Sequence, residues 1–358
     1  MRKGPLFWGT LFFAGTLFFA GAPLFGAEYI DGKVKLVIHE DIGRFSLYYM
    51  ADPGRELYAP FFWDQDPRTS VLTVMVNDRS YRLGESASFR TKLGGSASKP
   101  ALVFESSFLT VTEEFSFIRT PSSSITNGIK ITITVANRGE QPVNAGVRFL
   151  LDTSMGERFP PHFTTDFRRI NAETIIEASS EDSYWISRDS RLALMGSVGG
   201  LGITRPDMIH IANWKRLNDA PWRAAYIAGR NFNLLPLSVD DSAVCYYYEP
   251  SLIAQGGSRV ITVMLASEDT RGFGLPLTAL PQSAGGGQSP TTEGPAGALQ
   301  ETPGDEGELG DLEADLGILR DMVARIDGYL ASGAPVAEED FTVLRFLIAQ
   351  IKLKYGLP

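Results

Sequence analysis

Between about residue 28 and residue 270, apolar and polar residues alternate with a period of two, segment after segment. "KVKLVIHE" places Val34, Leu36 and Ile38 on one face and Lys33, Lys35 and Val37 on the other, the pattern of a half-buried strand. "RFSLYYM", "SVLTVMVN", "ALVFESSF", "LTVTEEFSFI", "IKITITVAN", "AGVRFLLD", "LALMGSV", "SAVCYYYE" and "SRVITVML" follow, rich in the β-branched and aromatic residues that strands favour. Asn77-Asp78, Gly94-Gly95, Asn127-Gly128, Asn137-Arg138-Gly139 and Gly256-Gly257 separate them as turn signals. No long helical period intervenes. Many strands joined by short connections predict a mainly β domain over residues 28–280, a large antiparallel β-sandwich.

The pattern then stops. Residues 281–310 are Gly, Pro, Ser, Thr and acid with almost nothing to bury, which predicts a disordered linker. Beyond it the period becomes helical. Leu312, Leu316, Leu319, Val323, Ile326 and Leu330 form one a/d-type seam, and Phe341, Leu344, Ile348, Ile351 and Tyr355 a second. Glu338, Glu339 and Asp340 precede the second run and Lys352 and Lys354 end it, which suits the helix dipole. A two-helix hairpin over 311–358 is expected, with coiled-coil seams. The second helix also carries Val343, Phe346, Leu347 and Leu353 off the seam, more than one partner helix covers. The module is therefore expected to dock on another surface: a second copy of itself, the sandwich, or a protein partner.

The N-terminus reads as a targeting segment. Arg2 and Lys3 precede the apolar run "LFWGTLFFAGTLFFAGAPLFGA", the form of a signal peptide over residues 1–27. Cleavage after Ala27 is the preferred site; cleavage after Ala22 fits the small-x-small rule but places Pro23 first. The rival reading is an uncleaved inner-membrane anchor, since the run is long enough to span a bilayer. Export to the periplasm or cell envelope is the expectation. Removal of residues 1–27 takes away two positive charges and no acid, moving the net charge from −9 to −11. Such an acidic chain is not built for nucleic-acid backbones. Cys245 is the only cysteine, so no internal disulfide forms, and its expected role is that of a small buried hydrophobe.

Chemical motifs fail one by one. "HEDIG" (39–43) has Gly43 where a zinc motif needs its second histidine, and "GGSAS" (94–98) ends in Ser98 where a nucleophile elbow needs glycine. "GSVGGLG" (196–202) lacks the dinucleotide spacing. No metal or cofactor is expected. What remains is the stretch "GVRFLLDTSMGERF" (146–159) and its surroundings. Asp152, Glu157 and Asp166 lie there, with His162 in the next loop and Asp240-Asp241 before a later strand; Trp214 and Trp222 bracket "KRLNDAP" and Trp63 follows "APFF". Two readings stand side by side. In one, Asp152, Glu157, His162, Trp214 and Trp222 line a binding cleft for a glycan, acids and aromatics being the residues that meet sugars. In the other, Asp152 and Thr153 tie down a strand end and the tryptophans are core. On the strand, Val147, Phe149 and Leu151 are expected to face the core and Arg148, Leu150 and Asp152 the other side. Arg148 and Asp152, about 13 Å apart at ~3.3 Å per residue, each need a different partner.

"IKITITVANRGEQPVNAGVRFLLDT", with the later "IANW" (211–214), "DDSAVCYYYEP" (240–250) and "GGSRVITVMLA" (256–266), resembles the large sandwich of galactose-mutarotase-like, carbohydrate-associated proteins over residues 30–270. The resemblance implies a supersandwich fold. Aldose epimerases of that class use a histidine as general acid and a glutamate as general base. Here the return strand offers Arg148 and Asp152, with no histidine between 40 and 161. The resemblance thus speaks for the fold and against the enzyme. The chain reads as an exported non-catalytic envelope protein with a tethered assembly module, or alternatively as a carbohydrate-binding or carbohydrate-active protein.

Overall fold

The computed structural model describes residues 26–274, apart from 64, 154, 158 and 159, together with Arg320. The linker over 281–310, the hairpin over 311–358 apart from Arg320, and nearly all of the targeting segment lie outside the described residues.

Four strands, β1 (Ala27–Asp31), β2 (Val34–His39), β3 (Arg44–Asp52) and β4 (Leu57–Pro60), form a small antiparallel sheet in chain order. The strands that follow are β5 (Val71–Val76), β6 (Arg79–Arg82), β7 (Arg90–Ser96), β8 (Lys99–Glu105), β9 (Leu109–Ile118) and β10 (Gly128–Asn137). Then come β11 (Val143–Asp152), β12 (Phe163–Thr165), β13 (Arg169–Ile170), β14 (Thr174–Glu177), β15 (Tyr184–Arg188) and β16 (Ala193–Ser197). β17 (Met208–Asn213) runs into a short helix, α1 (Trp214–Asp219), before β18 (Ser242–Ile253) and β19 (Ser258–Ser267). They build a nine-stranded sheet, β13-β12-β15-β16-β19-β10-β9-β8-β7, and a six-stranded sheet, β14-β17-β18-β11-β5-β6. Every pairing among the described strands is antiparallel.

The alternation read from the sequence is the packing of these sheets. Ile129, Ile131, Ile133 and Val135 of β10 and Leu109, Val111 and Phe115 of β9 enter one apolar core. From the six-stranded sheet come Leu72, Val74, Val147, Phe149, Leu151, Tyr246 and Tyr248. The same cluster takes Val34, Leu36 and Ile38 from β2, so the face expected to be buried is buried. Asn77-Asp78 closes the β5–β6 hairpin with both residues at positive φ, +47° and +67°, the backbone of a two-residue primed turn. Gly94-Gly95 does not form the turn its composition predicts. Both belong to β7, and the chain reverses at Ala97-Ser98, so that Ser96 faces Lys99.

The outer face of the six-stranded sheet departs from the expectation that Arg148, Leu150 and Asp152 point away from the core. They do, but that face is buried as well. Leu150, Val71, Cys245, Tyr247 and Met208 form a second apolar layer with Leu217 of α1 and with Trp222 beyond it. A strand that carries a roof on one side and a core on the other loses its polar alternation, which is why "GVRFLLD" is buried from Gly146 to Asp152. Cys245 is free and fully buried in this layer.

Candidate functional site at one end of the six-stranded sheet

β11 ends at Asp152, and its antiparallel neighbour β18 begins at Ser242, with Asp152 opposite Ala243. β5, on the other side, begins at Val71, opposite Leu150. Antiparallel pairing therefore brings the loops 153–162, 239–241 and 63–70 to one edge. A single 3₁₀ turn, Met155–Glu157, follows β11 and delivers Glu157. Carboxylate oxygens of Asp152, Glu157 and Asp241 lie within 4.8 Å of one another. Ser242 links the group to a histidine: its N–H donates to Glu157 Oε1 at 3.4 Å, and its Oγ is 3.0 Å from His162 Nδ1. The His162 ring packs on Phe232 with centroids 4.5 Å apart.

The site is braced from three directions. Asp152 N–H donates to Ser70 Oγ at 3.0 Å, and Trp63 N–H donates to the Asp152 carbonyl at 3.0 Å. Trp214 donates its indole N–H to the Thr69 carbonyl at 2.9 Å and its backbone N–H to the Asp241 carbonyl at 3.1 Å. Asn213 caps α1 and reaches with its side-chain amide to the carbonyls of Phe232 and Asp241. Asp240 turns the chain into β18 at φ +52°.

Burial decides the charges. It pushes the Asp152 carboxyl up to about 7, against a hydrogen bond from Thr69 and with help from the charge of Asp241. Burial also raises Asp241, against a bond from Ser238, and lowers His162, against the charge of Asp240. At neutral pH, His162 is thus uncharged, and the Asp152 carboxyl, raised first by burial and then by the neighbouring Asp241 charge, can hold a proton. The cluster presents both a carboxylic O–H donor and carboxylate acceptors. Its all-oxygen donor set is also of the kind that meets hard cations.

Of the five residues singled out in the sequence, Asp152 and Glu157 come together directly. His162 joins them through Ser242 and is buried, not a surface histidine. Trp214 is half-buried and acts through Thr69 and Asp241. Trp222 sits apart, on Tyr247 in the outer apolar layer. Asp241 completes the cluster; the sequence offers it only as one of two acids before a strand. Among the described residues the Asp152 carboxyl meets Thr69. Trp63, 40% exposed, touches the site through its backbone, as Trp214 does. A separate buried network has no local signature in the sequence. Glu173 accepts from His210 Nε2 at 2.9 Å, from Ile227 N–H at 3.0 Å and from Arg216.

No protein-family model matches the chain, and no curated protein sequence matches it. Solved structures do. A galactose mutarotase related enzyme from Lactobacillus acidophilus is similar at 8% identity and TM-score 0.44, over 68% of this chain and 98% of that one. A putative aldose 1-epimerase from Escherichia coli K12 is similar at 9% identity and TM-score 0.40, over 68% of this chain and 98% of that one. A galactose mutarotase-like protein from Lactobacillus casei follows at 10% identity and TM-score 0.37, over 68% and 100%.

Proposed function

We propose that the β domain is a non-catalytic saccharide-binding domain whose ligand is held at the Asp152–Glu157–Asp241 cluster. The observation that carries the reading is the meeting of three carboxyl groups, one of them protonatable near neutrality, with His162 behind them and exposed Trp63 tied by its backbone to Asp152. Carboxyl groups of mixed protonation donate to and accept from vicinal hydroxyls, and an aromatic face packs on a sugar's C–H surface. Arg2, Lys3 and the apolar run after them support export to the envelope, and the seams over 311–358 support assembly with a protein partner or a second copy.

The test is titration of the full chain with a panel of neutral mono- and oligosaccharides, read by tryptophan fluorescence and calorimetry. Saturable binding is expected, weakened at least about tenfold in Asp152→Asn and Glu157→Gln, the scale of one lost charged hydrogen bond. The reading fails if no sugar binds saturably or if both variants bind as well as the parent. Polarimetry of freshly dissolved aldoses tests the non-catalytic half: a rate of mutarotation above that of buffer overturns it.

A further inference from the structure

A second group of polar side chains lies on the outer face of the six-stranded sheet, under α1 and residues 220–230. Thr73, Arg148 and Tyr247 are direct neighbours across β5, β11 and β18. Thr73 and Arg148 are each 1% exposed. Trp222 stands edge-on over Tyr247 at 5.9 Å. The roof is tied down by Arg148, which donates to the Leu217 carbonyl, and by the Tyr247 hydroxyl, which donates to the Trp222 carbonyl at 3.2 Å.

This patch is short of negative charge and of acceptors. Among the buried or half-buried arginines, Arg44 pairs with Glu85 and Arg216 with Glu173, whereas Arg259 donates to the Ala145 and Glu249 carbonyls. Arg148, as buried as any of them, has no carboxylate in ion-pair contact among the described residues; it meets the Leu217 carbonyl, the Tyr247 hydroxyl at 3.4 Å and the Cys245 side chain. Cys245 on the same face supplies no counter-charge at neutral pH, because burial raises its thiol. Two further buried groups have no partner, Thr73 Oγ1 and Trp222 Nε1. Buried guanidinium groups without a counter-charge and buried donors without an acceptor are both strongly unfavourable, and native proteins seldom keep them without a reason. Here the guanidinium, a hydroxyl and an indole N–H share one covered face, and all three donate.

We propose that Arg148, Thr73 and Trp222 form a site for a small oxyanion, a carboxylate or phosphate group, taken beneath the 213–230 segment. A planar guanidinium meets such a group with two parallel hydrogen bonds, and the hydroxyl and indole N–H supply donors for its remaining oxygens. Entry is by displacement of residues 220–225, which pair with no strand and are held to β18 by the Tyr247 hydroxyl on the Trp222 carbonyl and by the solvent-facing Arg223–Glu249 ion pair. The site is distinct from the carboxylate cluster and does not rest on the saccharide reading.

The test uses the full chain and its thermal midpoint in sodium phosphate, in sodium acetate and in sodium chloride at equal ionic strength. A ligand that binds only the folded state raises the midpoint with its logarithmic concentration. The expected result is such a rise in phosphate or acetate over chloride, absent in Arg148→Met and displaced to about tenfold higher anion concentration in Thr73→Val. A rise in phosphate alone assigns a phosphate group, and a rise in acetate alone a carboxylate. Equal midpoints in all three salts overturn the proposal, as does an unchanged rise in Arg148→Met. Should Arg148→Met not fold, Thr73→Val decides, since it keeps the side-chain volume: an undisplaced anion response overturns the site.

Discussion

Glu113 lies in the middle of β9 between Val111 and Phe115, on the face that enters the core. It is 2% exposed and is flanked across the sheet by Leu102 of β8 and Ile133 of β10. Its Oε1 has no hydrogen-bond partner. Arg44 is the one cation that acts on it, and Arg44 is engaged by Glu85 and by the Gly43 and Leu83 carbonyls. Burial therefore dominates and raises the carboxyl from its ordinary 4.5 to about 8. A carboxyl held protonated in the fold but ionised in the unfolded chain makes stability fall as pH rises. Its contribution is intact below 4.5, declines above it and is fully lost above about 8. At about 1.4 kcal/mol for each pH step between these values, the whole loss is about 5 kcal/mol, and about 3 kcal/mol falls between about pH 5 and about pH 7.5. Glu113→Gln keeps the shape and removes the titration. Urea denaturation of parent and variant across this range measures the difference, and other titrating groups cancel in it. The two should be equally stable at the lower pH, with the variant ahead by about 3 kcal/mol at the upper one. Parallel curves, or a variant less stable at the upper pH, would refute the reasoning: Glu113 would then be ionised and paired with Arg44.

Two further outcomes follow from the core. Tyr246→Phe removes the hydroxyl that accepts from Trp185 Nε1 at 2.6 Å and donates to the Ser197 carbonyl at 2.9 Å. Each orphaned group costs about 1–3 kcal/mol, visible in denaturation midpoints and in the tryptophan emission. Gly196→Ala places a Cβ 2.2 Å from the Trp185 ring. A loss of about 3 kcal/mol is expected, whereas Gly54→Ala, whose Cβ meets nothing nearer than 3.4 Å, serves as the neutral control.

The sequence alone determined the local elements. β9 and β10 are bounded almost as their alternation predicts, and Asn77-Asp78 closes the hairpin its residues announce, because these depend on neighbours two to four positions away. The Gly94-Gly95 expectation failed for the opposite reason. Glycine permits a turn without requiring one, and the β7–β8 pairing drew both residues into the ladder. The candidate site was half legible. Asp152, Glu157 and His162 lie within eleven residues of one another, and their chemistry drew notice there. Asp241 stands 89 positions from Asp152, and nothing local marks it as a partner.

What only the tertiary structure decided is which strand ends meet and which faces are covered. Pairing β11 against β18 set Asp152 beside Asp241. The roof of α1 and residues 220–230 turned the outer face of "GVRFLLD" into a second interior, stranding Arg148 without a counter-charge. A period of two tells which side chains share a face; it carries no information on what a distant segment lays over that face. Burial, and with it the protonation of Asp152 and Glu113, comes from that long-range packing.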